Sequence, residues 1–588
     1  MNLKKEELPD GSVRIVWHGC SGIQAQIGPP VLSVSAGSSR QPVLMRCVSR
    51  TAEHGKAVIE SEADGDEISG TCRIEHRLRQ EGEQGLLVCT THIQFAQPVK
   101  KDITALLPIS VQGLPAEAAV LPERTGTVRT YEPDREPEAC FNLDRAGSRK
   151  GIELALPGIG VDFKTGSFAV SADPYTDTDF RVQPVTESGE QQTRIFLCSE
   201  YPGSTVPVFS AERTIALQFH QNGIDGHLRN FYHTIPDIRP GPLWMHDIHL
   251  TFYDYIADRG TSLKPDLEAL ASRIPQEFRK HVLVCLHGYY DYLGRYSYSH
   301  GNGTFDRQWD AYDNRGQHLP MTTEELHRRV RLIKSFGFRA ALYFADALAY
   351  DDLNPEFSRD RIWRDADGEP VRWYYWQNRP DKQNREKNYM LDPSNPEVRQ
   401  WFTGYAAACV NEFGEEVDAL VWDETNCVSH AQVCMTPDGP ASAGRAMMRL
   451  VADVTKEIEN GWCRNPDLAL LVSDNIYTKG AGHIPFCLVA HGTWQDSHCN
   501  PDAWAPGMIP NYRNCLYSCN WRPVGNRSWN RIAAEKYGLP QGLSNGFGDD
   551  IGPSHMEEDL LNETVSLFLK QCADGRDRTR YLLPAAPE

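Results

Sequence analysis

The fold is decided by VDALVWDETN, residues 417–426, a short apolar run that stops on two adjacent carboxylates. A run this short, between a helix-like segment and a polar loop, is typical of a parallel strand that is covered on both faces. Acids at the carboxyl end of such a strand lie where barrel enzymes carry out their chemistry. Asp423 and Glu424 also fit a solvated loop or a helix cap, so the rest of the chain has to decide between the two interpretations.

Strand-like and helix-like segments alternate on both sides of this run. Helices are predicted at 263–278, from the N-cap Thr322 to the C-cap Gly337, from Asn395 onward, and at 557–571. Strands are predicted at 243–255, 282–290, 338–346, 417–423, 467–474, 485–490, 514–519 and 541–546. Eight strands that alternate with helices predict a (β/α)8 barrel.

The chain up to about residue 225 carries β-strand patterns instead. Alternating or β-branched runs lie between clusters of Gly, Pro, Asp and Asn, at 12–17, 42–48, 86–95, 166–171, 193–198 and 213–219. They predict a β-sandwich, which we interpret as a supporting domain because we find no catalytic constellation in it. Pro240 and Pro242 interrupt the pattern. The predicted domains are therefore a β-sandwich at 1–235 and a barrel at 236–588, with the cut between about residues 220 and 245.

The charge of the chain limits its partners. Its 588 residues include 60 basic and 79 acidic side chains, a formal net charge of −19, which repels nucleic acid and anionic membranes. No apolar run reaches the roughly 20 residues of a membrane span, and the N-terminus has no signal-peptide core. The cysteines are scattered, as at Cys89, Cys198 and Cys285, without metal-ligand spacing, which favours reduced thiols and no metal. We expect a cytoplasmic protein without a nucleic-acid or membrane partner; a homo-oligomer stays open.

Carboxylates recur at the carboxyl ends of the predicted strands. Each one alone fits a strand-end turn or a helix cap, but their recurrence beside aromatic residues favours a polar pocket. Sugars need such a pocket, because their hydroxyls need hydrogen-bond acceptors while their C–H faces stack on aromatic rings. The predicted pocket residues are Asp291, Asp346, Asp423, Glu424, Asp474, Asp496 and Asp550, with Trp422, Trp494, Tyr289, Tyr290 and His498. Since glycosidic cleavage needs two carboxyl groups across one bond, this set predicts a carbohydrate-active enzyme.

Two segments near the central run resemble a known group of enzymes. LDPSNPEVRQWF at 391–402 and DALVWDETN at 418–426 resemble the third-helix start and the fourth-strand motif of the α-glycosidases of glycoside hydrolase families 31 and 36. In the family 31 motif two acids stand five residues apart and the inner one is the nucleophile; Asp418 and Asp423 have the same spacing. WQDSH at 494–498 is similar to the segment that carries the acid/base, and GDDIG at 548–552 to a later barrel segment.

The resemblance covers roughly residues 243–570 and implies a retaining α-glycosidase, without a cofactor, whose barrel follows a β-sandwich. Asp423 would attack the anomeric carbon, and Asp496 would be the acid/base, with Asp474 as the rival for that role. The other pocket residues would hold the sugar. Trp422 directly precedes Asp423, which departs from the family 31 order and marks a divergent relative whose sugar specificity does not transfer.

Other hypotheses stay open. An inverting hydrolase or a transglycosylase would use the same side chains. A metal-dependent isomerase or lyase would use the acids and histidines as ligands, and a carbohydrate-binding protein would only hold the sugar. Retaining enzymes place two carboxyl groups about 5–5.5 Å apart and inverting ones roughly 6.5–9.5 Å. We predict the shorter class for Asp423 and Asp496.

Overall fold

The computed structural model describes residues 3–8, 12–17, 23–28, 31–36, 39–53, 56–65, 68–81, 84–95, 103–112, 116–122, 128–131, 138–140, 152–153, 158–164, 166–172, 179–187, 190–201, 209–220, 242–256, 263–312, 318–346, 348–352, 354–364, 368–372, 388–423, 433–436, 439–473, 487–489, 516–518, 535, 540–545 and 552–574.

The described amino-terminal part consists of strands, as the sequence predicts. These strands are β1 Leu3–Glu7, β2 Val13–Trp17, β3 Gln24–Ile27, β4 Val31–Ala36, β5 Ser39–Glu53, β6 Lys56–Gly65, β7 Ile68–Glu81, β8 Gln84–Phe95, β9 Ile103–Gln112, β10 Ala116–Pro122, β11 Val128–Tyr131, β12 Glu138–Cys140, β13 Ile152–Glu153, β14 Gly158–Phe163, β15 Gly166–Ala172, β16 Asp179–Glu187, β17 Glu190–Tyr201 and β18 Phe209–His220.

These strands form two sheets that are joined by the long strand β5. In one sheet β1 pairs with β2, and β2 pairs with β3. Both β3 and β4 pair with one edge of β9, and the sheet continues from the other edge of β9 through β17, β16 and β12 to β13. The other runs β5-β6-β7-β8-β18-β15-β14-β10-β11 and is antiparallel throughout. The sheets contact each other where the ring of Trp17 lies 5.6 Å from that of Phe219. Both side chains are buried, because alternation along a strand turns every second residue to the apolar side.

From residue 243 onward strands alternate with helices. The strands are β19 Leu250–Tyr255, β20 Val282–His287, β21 Tyr298–Ser299, β22 Thr304–Phe305, β23 Gln308–Tyr312, β24 His318–Thr322, β25 Arg339–Asp346, β26 Ala349–Asp351, β27 Asn388–Met390, β28 Ala419–Asp423, β29 Val433–Thr436, β30 Gly439–Ser442, β31 Ala469–Ser473, β32 Cys487–Val489, β33 Leu516–Ser518 and β34 Gln541–Ser544. The helices are α1 Leu263–Ala271, α2 Thr323–Ser335, α3 Pro396–Phe413, α4 Ala443–Asn460 and α5 Glu558–Ala573, with 3-10 helices at Leu243–Asp247, Gln276–His281, Arg359–Arg361 and Gly461–Cys463.

Eight of these strands form one parallel sheet. In chain order β19, β20, β25, β28, β31, β32 and β33 lie side by side, and the last strand, β34, pairs with the first, β19. A sheet whose last strand returns to its first has the strand order of a barrel. None of the described helices is long and apolar enough to cross a membrane.

The helix boundaries follow the local sequence signals. Thr322 caps α2 by accepting a hydrogen bond from the Glu325 backbone N–H at 3.0 Å, and Gly337 follows the helix with a φ of +86°. Asn395 caps α3 by accepting from the Glu397 N–H at 2.8 Å, and Pro396 occupies the first turn. These caps confirm the helix starts that the sequence predicts.

Two predicted elements differ from the structure. Residues 243–255, predicted as one strand, begin with the 3-10 helix Leu243–Asp247, and only Leu250–Tyr255 is a strand. The predicted helix 263–278 ends at Ala271, and a 3-10 helix begins after Pro275. Proline explains the second break, because it cannot donate a backbone hydrogen bond and disfavours helical geometry in the residue before it.

The two halves meet in a segment that carries the predicted domain boundary. The last strand of the amino-terminal sheets, β18, ends at His220, and the first strand of the eight-stranded parallel sheet, β19, begins at Leu250. The division at 235/236 lies between these points, outside the described residues, and stays a prediction. Among the described cysteines, Cys47, Cys285, Cys409, Cys463 and Cys572 are free thiols.

Candidate active site

The described part of the chain contains six of the predicted pocket residues, namely Asp291, Asp346, Trp422, Asp423, Tyr289 and Tyr290. The others, Glu424, Asp474, Trp494, Asp496, His498 and Asp550, lie outside the described residues. The predicted distance between Asp423 and Asp496, and the choice between Asp496 and Asp474, therefore stay predictions.

Asp423 is the last residue of β28 and is buried, with 4% of its surface exposed. The hydroxyl of Tyr343, on the neighbouring strand β25, donates to Asp423 Oδ2 at 3.1 Å. A phenol that donates to a carboxylate stabilises its negative charge and fixes its orientation. The structure thus places an oriented carboxylate at the carboxyl end of the fourth parallel strand, the end at which barrel enzymes act.

A β-bulge in β25 brings a second carboxylate beside it. Tyr343 pairs with Val421, but the next pairs are Ala345 with Trp422 and Asp346 with Asp423, so Phe344 is an extra residue in β25. In a regular strand Tyr343 and Asp346, three residues apart, would point to opposite faces. The extra residue reverses the alternation, so that both are placed on the face of Asp423. Asp346 therefore lies next to Asp423 on the adjacent strand, and its predicted role in sugar binding stays a prediction.

Aromatic side chains line the same face of the sheet. The His287 ring lies 3.7 Å from the Tyr343 ring and 4.2 Å from that of Tyr255, measured between centroids. Tyr290 stacks on Tyr343 at 6.0 Å. Tyr255, His287, Tyr343 and Asp423 come from four successive strands, β19, β20, β25 and β28. The result is a cluster of buried aromatic rings beside a carboxylate, the combination of groups that sugar-binding sites use.

Trp422 has a different place from the predicted pocket wall. It is fully buried, stacked on Phe402 of α3 at 5.1 Å and edge-on to Phe344 at 5.4 Å. Successive side chains of a strand point to opposite faces, so Trp422 must face the helix layer when Asp423 faces the pocket. We correct its assignment from a sugar contact to packing between β28 and α3.

Asp291 also has a role other than sugar binding. Its Oδ1 accepts from the backbone N–H groups of Tyr292 and Ser297, at 2.7 and 2.8 Å, and its Oδ2 is paired with Arg295. Arg295 also binds Asp306. Since Asp291 is 4% exposed and both of its oxygens are bonded inside the loop, we assign it to holding the loop after β20 in shape.

Asp418, the outer acid of the motif, lies at the other end of β28. It accepts from Lys334 Nζ at 2.7 Å, from Arg339 Nη1 at 2.9 Å and from the Ala340 N–H at 2.8 Å. Five residues of strand span about 17 Å, so Asp418 cannot share a pocket with Asp423. Its contacts indicate a structural role.

A further buried carboxyl, Asp254, lies one residue before Tyr255. Burial raises the pKa of Asp254 to about 6, against the attraction of Arg329 and the hydrogen bond from Asn545. Asn545 donates to Asp254 Oδ1 at 2.6 Å and accepts from the Tyr255 N–H at 2.8 Å. Asp254 is thus tied to the backbone of a pocket residue. No group of three or more His, Cys, Asp or Glu among the described residues is arranged to hold a metal ion.

Several solved structures are similar to the structure of this chain. A family 31 sulfoquinovosidase from E. rectale has a TM-score of 0.54 and 10% identity, over 99% of this chain and 84% of that one. The α-N-acetylgalactosaminidase NagBb from Bifidobacterium bifidum has a TM-score of 0.53 and 11% identity, over 98% and 96%. The α subunit of glucosidase II has a TM-score of 0.53 and 10% identity, over 91% and 69%. The chain has the fold of these α-glycosidases.

These similarities are structural. No protein-family model matches the chain, and no curated protein matches it in sequence. The predicted resemblance to α-glycosidases is confirmed at the level of the fold.

Three residues of the aromatic cluster beside Asp423 were not singled out from the sequence, namely Tyr255, His287 and Tyr343. Each is a polar-tipped ring at or near the end of an apolar strand, and that position is the signal that could have identified them. The β-bulge that turns Tyr343 and Asp346 to the same face has no comparable signal, since it depends on how β25 pairs with β28.

Proposed function

We propose that the protein is a glycoside hydrolase that cleaves α-linked glycosides with retention of configuration. The observation that carries the proposal is the oriented, buried Asp423 at the carboxyl end of the fourth parallel strand. The fold shared with a sulfoquinovosidase, an α-N-acetylgalactosaminidase and a glucosidase supports the choice of reaction. A fold alone does not determine an activity, so the proposal depends on the side chains around Asp423.

In this mechanism Asp423 attacks the anomeric carbon while the bond to the leaving oxygen breaks, and a covalent glycosyl-enzyme forms. Asp496 donates a proton to the leaving oxygen. It then takes a proton from the incoming water, which displaces Asp423 and releases the sugar. The Tyr343 hydroxyl, bound to Asp423 Oδ2, orients the carboxylate and stabilises the charge that returns to it when the intermediate breaks down.

The sugar would lie across the carboxyl ends of the first four strands. We propose that Asp346, which is paired with Asp423 across the two strands, accepts hydrogen bonds from sugar hydroxyls, and that Tyr255, His287 and Tyr290 offer aromatic faces. Glu424, Asp474, Trp494, His498 and Asp550 are proposed to complete the pocket. We also propose that β33 and β34 close the parallel sheet into a (β/α)8 barrel and that the amino-terminal sheets form a β-sandwich.

A substrate screen tests the proposal. Aryl α- and β-glycosides of neutral, N-acetylated and anionic sugars are incubated with the protein, and the anomer that forms first is identified by proton NMR. We expect turnover of at least one α-glycoside, with the α-anomer formed first. First formation of the β-anomer from an α-glycoside would reject retention, and a folded protein that cleaves none of the α-glycosides would reject the function.

Chelation provides the control for the metal-dependent alternative. Activity that survives exhaustive dialysis against EDTA is expected, because two carboxyl groups suffice for glycosidic cleavage. Loss of activity that an added divalent cation restores would favour a metal-dependent enzyme instead.

A further inference from the structure

The bulged end of β25 is held by three tyrosine hydroxyls from two other segments, the loop after β20 and α3. Tyr289 donates to the carbonyl oxygen of Tyr343 at 2.6 Å, and Tyr405 of α3 donates to that of Phe344 at 2.8 Å. The Tyr296 hydroxyl accepts from the Asp346 N–H at 3.1 Å and donates to the Asp346 carbonyl at 3.3 Å. A bulge disrupts the ladder of a strand, and these three side chains bond the backbone of the bulged segment. We name Tyr289, Tyr296 and Tyr405 the tyrosine clamp.

The clamp side chains are buried, and burial keeps two of their hydroxyls, those of Tyr289 and Tyr405, as donors. All three side chains are at most 1% exposed. Burial raises the pKa of Tyr289 and of Tyr405 well above the usual value for tyrosine, so both stay protonated. Hydrogen bonds in such surroundings are hard to replace, because no water is at hand to satisfy the freed carbonyl.

The loop that supplies Tyr296 is held in an unusual conformation. Tyr296 and Ser297 have φ angles of +51° and +55°, a backbone region that residues other than glycine rarely adopt. Asp291 holds this turn, since its Oδ1 accepts from the Ser297 N–H and its Oδ2 pairs with Arg295. Strained backbone of this kind persists only where its surroundings determine it, and it is concentrated at functional sites.

We propose that the tyrosine clamp, together with Asp291, is a positioning device that fixes the bulge in β25 and so holds the Tyr343 hydroxyl on Asp423 and Asp346 beside it. The hydroxyls of the clamp residues bond the backbone of Tyr343, Phe344 and Asp346, so in this proposal they act through Tyr343 and Asp346. This inference deepens the proposed function and, as far as it concerns catalysis, depends on it.

Tyr350 offers a matched control. It is also a buried tyrosine, 1% exposed, whose hydroxyl donates to a backbone carbonyl, that of Glu356, at 2.5 Å. That contact lies in a different segment from the bulge. The same hydroxyl accepts from the Ser358 N–H at 3.0 Å. Tyr350→Phe therefore removes backbone hydrogen bonds of the same kind as those of Tyr296. We expect it to leave residues 343–346 in place and to report the effect of losing any buried tyrosine hydroxyl.

The decisive readout does not need a substrate. 3-Fluorotyrosine is installed at position 343 alone, and its fluorine NMR signal is compared among wild type, Asp423→Asn, Tyr289→Phe, Tyr296→Phe, Tyr405→Phe and Tyr350→Phe, each checked for folding by circular dichroism. We expect Asp423→Asn to shift the signal because the hydroxyl loses its negatively charged acceptor. The folded clamp variants should shift it in the same direction and by more than Tyr350→Phe does.

Two results would overturn the proposal. One is a signal that Asp423→Asn moves but that stays at the wild-type position in every folded clamp variant. The other is a signal that Asp423→Asn leaves unchanged, which would mean that Tyr343 does not contact Asp423 in solution. If one clamp variant does not fold, the fluorine signals of the other two and of Asp291→Asn are compared with that of Tyr350→Phe instead.

Kinetic measurements then test whether the clamp affects the reaction. With a cleaved glycoside in hand, the clamp variants should lower kcat/KM by about tenfold or more, because small displacements of a reacting group reduce rates steeply, and Tyr350→Phe should stay within about twofold. Equal losses in the control would reduce the clamp to a general stabilising role and overturn the proposal. Failure to cleave any glycoside would reject the hydrolase assignment and leave the fluorine result standing.

Discussion

One strand of this protein carries a buried aspartate at each end, and the two have opposite surroundings. Asp418, just before β28, is bonded to two cations, Lys334 and Arg339, and to a backbone N–H. Asp423, at the carboxyl end, meets the hydroxyl of Tyr343 on an aromatic face of the sheet. The comparison shows that residue type does not assign a role. A carboxylate neutralised by cations stabilises the fold, and one held by a neutral donor keeps its charge available for chemistry.

The largest expected effect is on activity at the carboxyl end. Asp423→Asn is nearly isosteric but lacks a nucleophilic oxygen, so we expect kcat/KM to fall by at least about 1,000-fold while the thermal midpoint stays near that of wild type. Steady-state kinetics and a thermal melt measure both. Activity within about tenfold of wild type would remove Asp423 from the reaction, and an unfolded variant would give it a structural role.

The next effect concerns Asp254, a buried carboxyl with a distant cation partner. Burial raises its pKa from 3.8 to about 6 in the folded protein. Between these pH values the folded state holds a proton that the unfolded state has lost, so the wild type loses about 3 kcal/mol of stability as the pH rises from about 4 to about 6. Asp254→Asn should lack this loss. Urea denaturation of both proteins at several pH values measures it, and parallel pH dependences would contradict the raised pKa.

At the amino end of β28, Asp418→Asn should affect stability and spare activity. The substitution keeps an acceptor for the Ala340 N–H but loses the attraction to Lys334 and Arg339. Because Lys334 is 41% exposed and can regain water, we expect a loss of about 2 kcal/mol, below the range for fully buried pairs. Urea midpoints give the loss, and kcat/KM per folded molecule should stay within about twofold. Loss of activity in a folded variant would break the contrast with Asp423.

The smallest effect is expected at Trp422, where a substitution distinguishes a role in packing from a role in lining the pocket. Trp422→Phe leaves an aromatic ring against Phe402 but removes volume from a filled layer, so we expect about 1–2 kcal/mol of destabilisation. KM should remain within about twofold of wild type because the side chain faces the helices. A KM that rises tenfold without loss of stability would return Trp422 to the pocket wall.

Much of the fold is visible in the sequence because the signals are local. Thr322 and Asn395 cap the helices that they are predicted to cap, and the run at 417–423 is a buried parallel strand. Successive side chains of a strand point to opposite faces, so the sequence alone also allows the inference that Trp422 faces away from Asp423.

The site is less visible because it depends on how one loop folds and on how two strands pair. Asp291 looks like any strand-end acid until Arg295 and the Ser297 N–H are seen to occupy its oxygens. The bulge at Phe344 arises from the pairing of β25 with β28. Whether Tyr343 meets Asp423 depends on that pairing, and no local pattern in either strand encodes it.

The central claim is that Asp423 forms the covalent bond to the sugar. It is tested most directly by treating the protein with a panel of α-configured cyclitol epoxides and aziridines, which alkylate the nucleophile of a retaining α-glycosidase, and by locating the adduct with peptide mass spectrometry. We predict one adduct per chain, on Asp423, and no adduct in Asp423→Asn. A label on another carboxylate, such as Asp346, or one that persists in Asp423→Asn, would contradict the assignment.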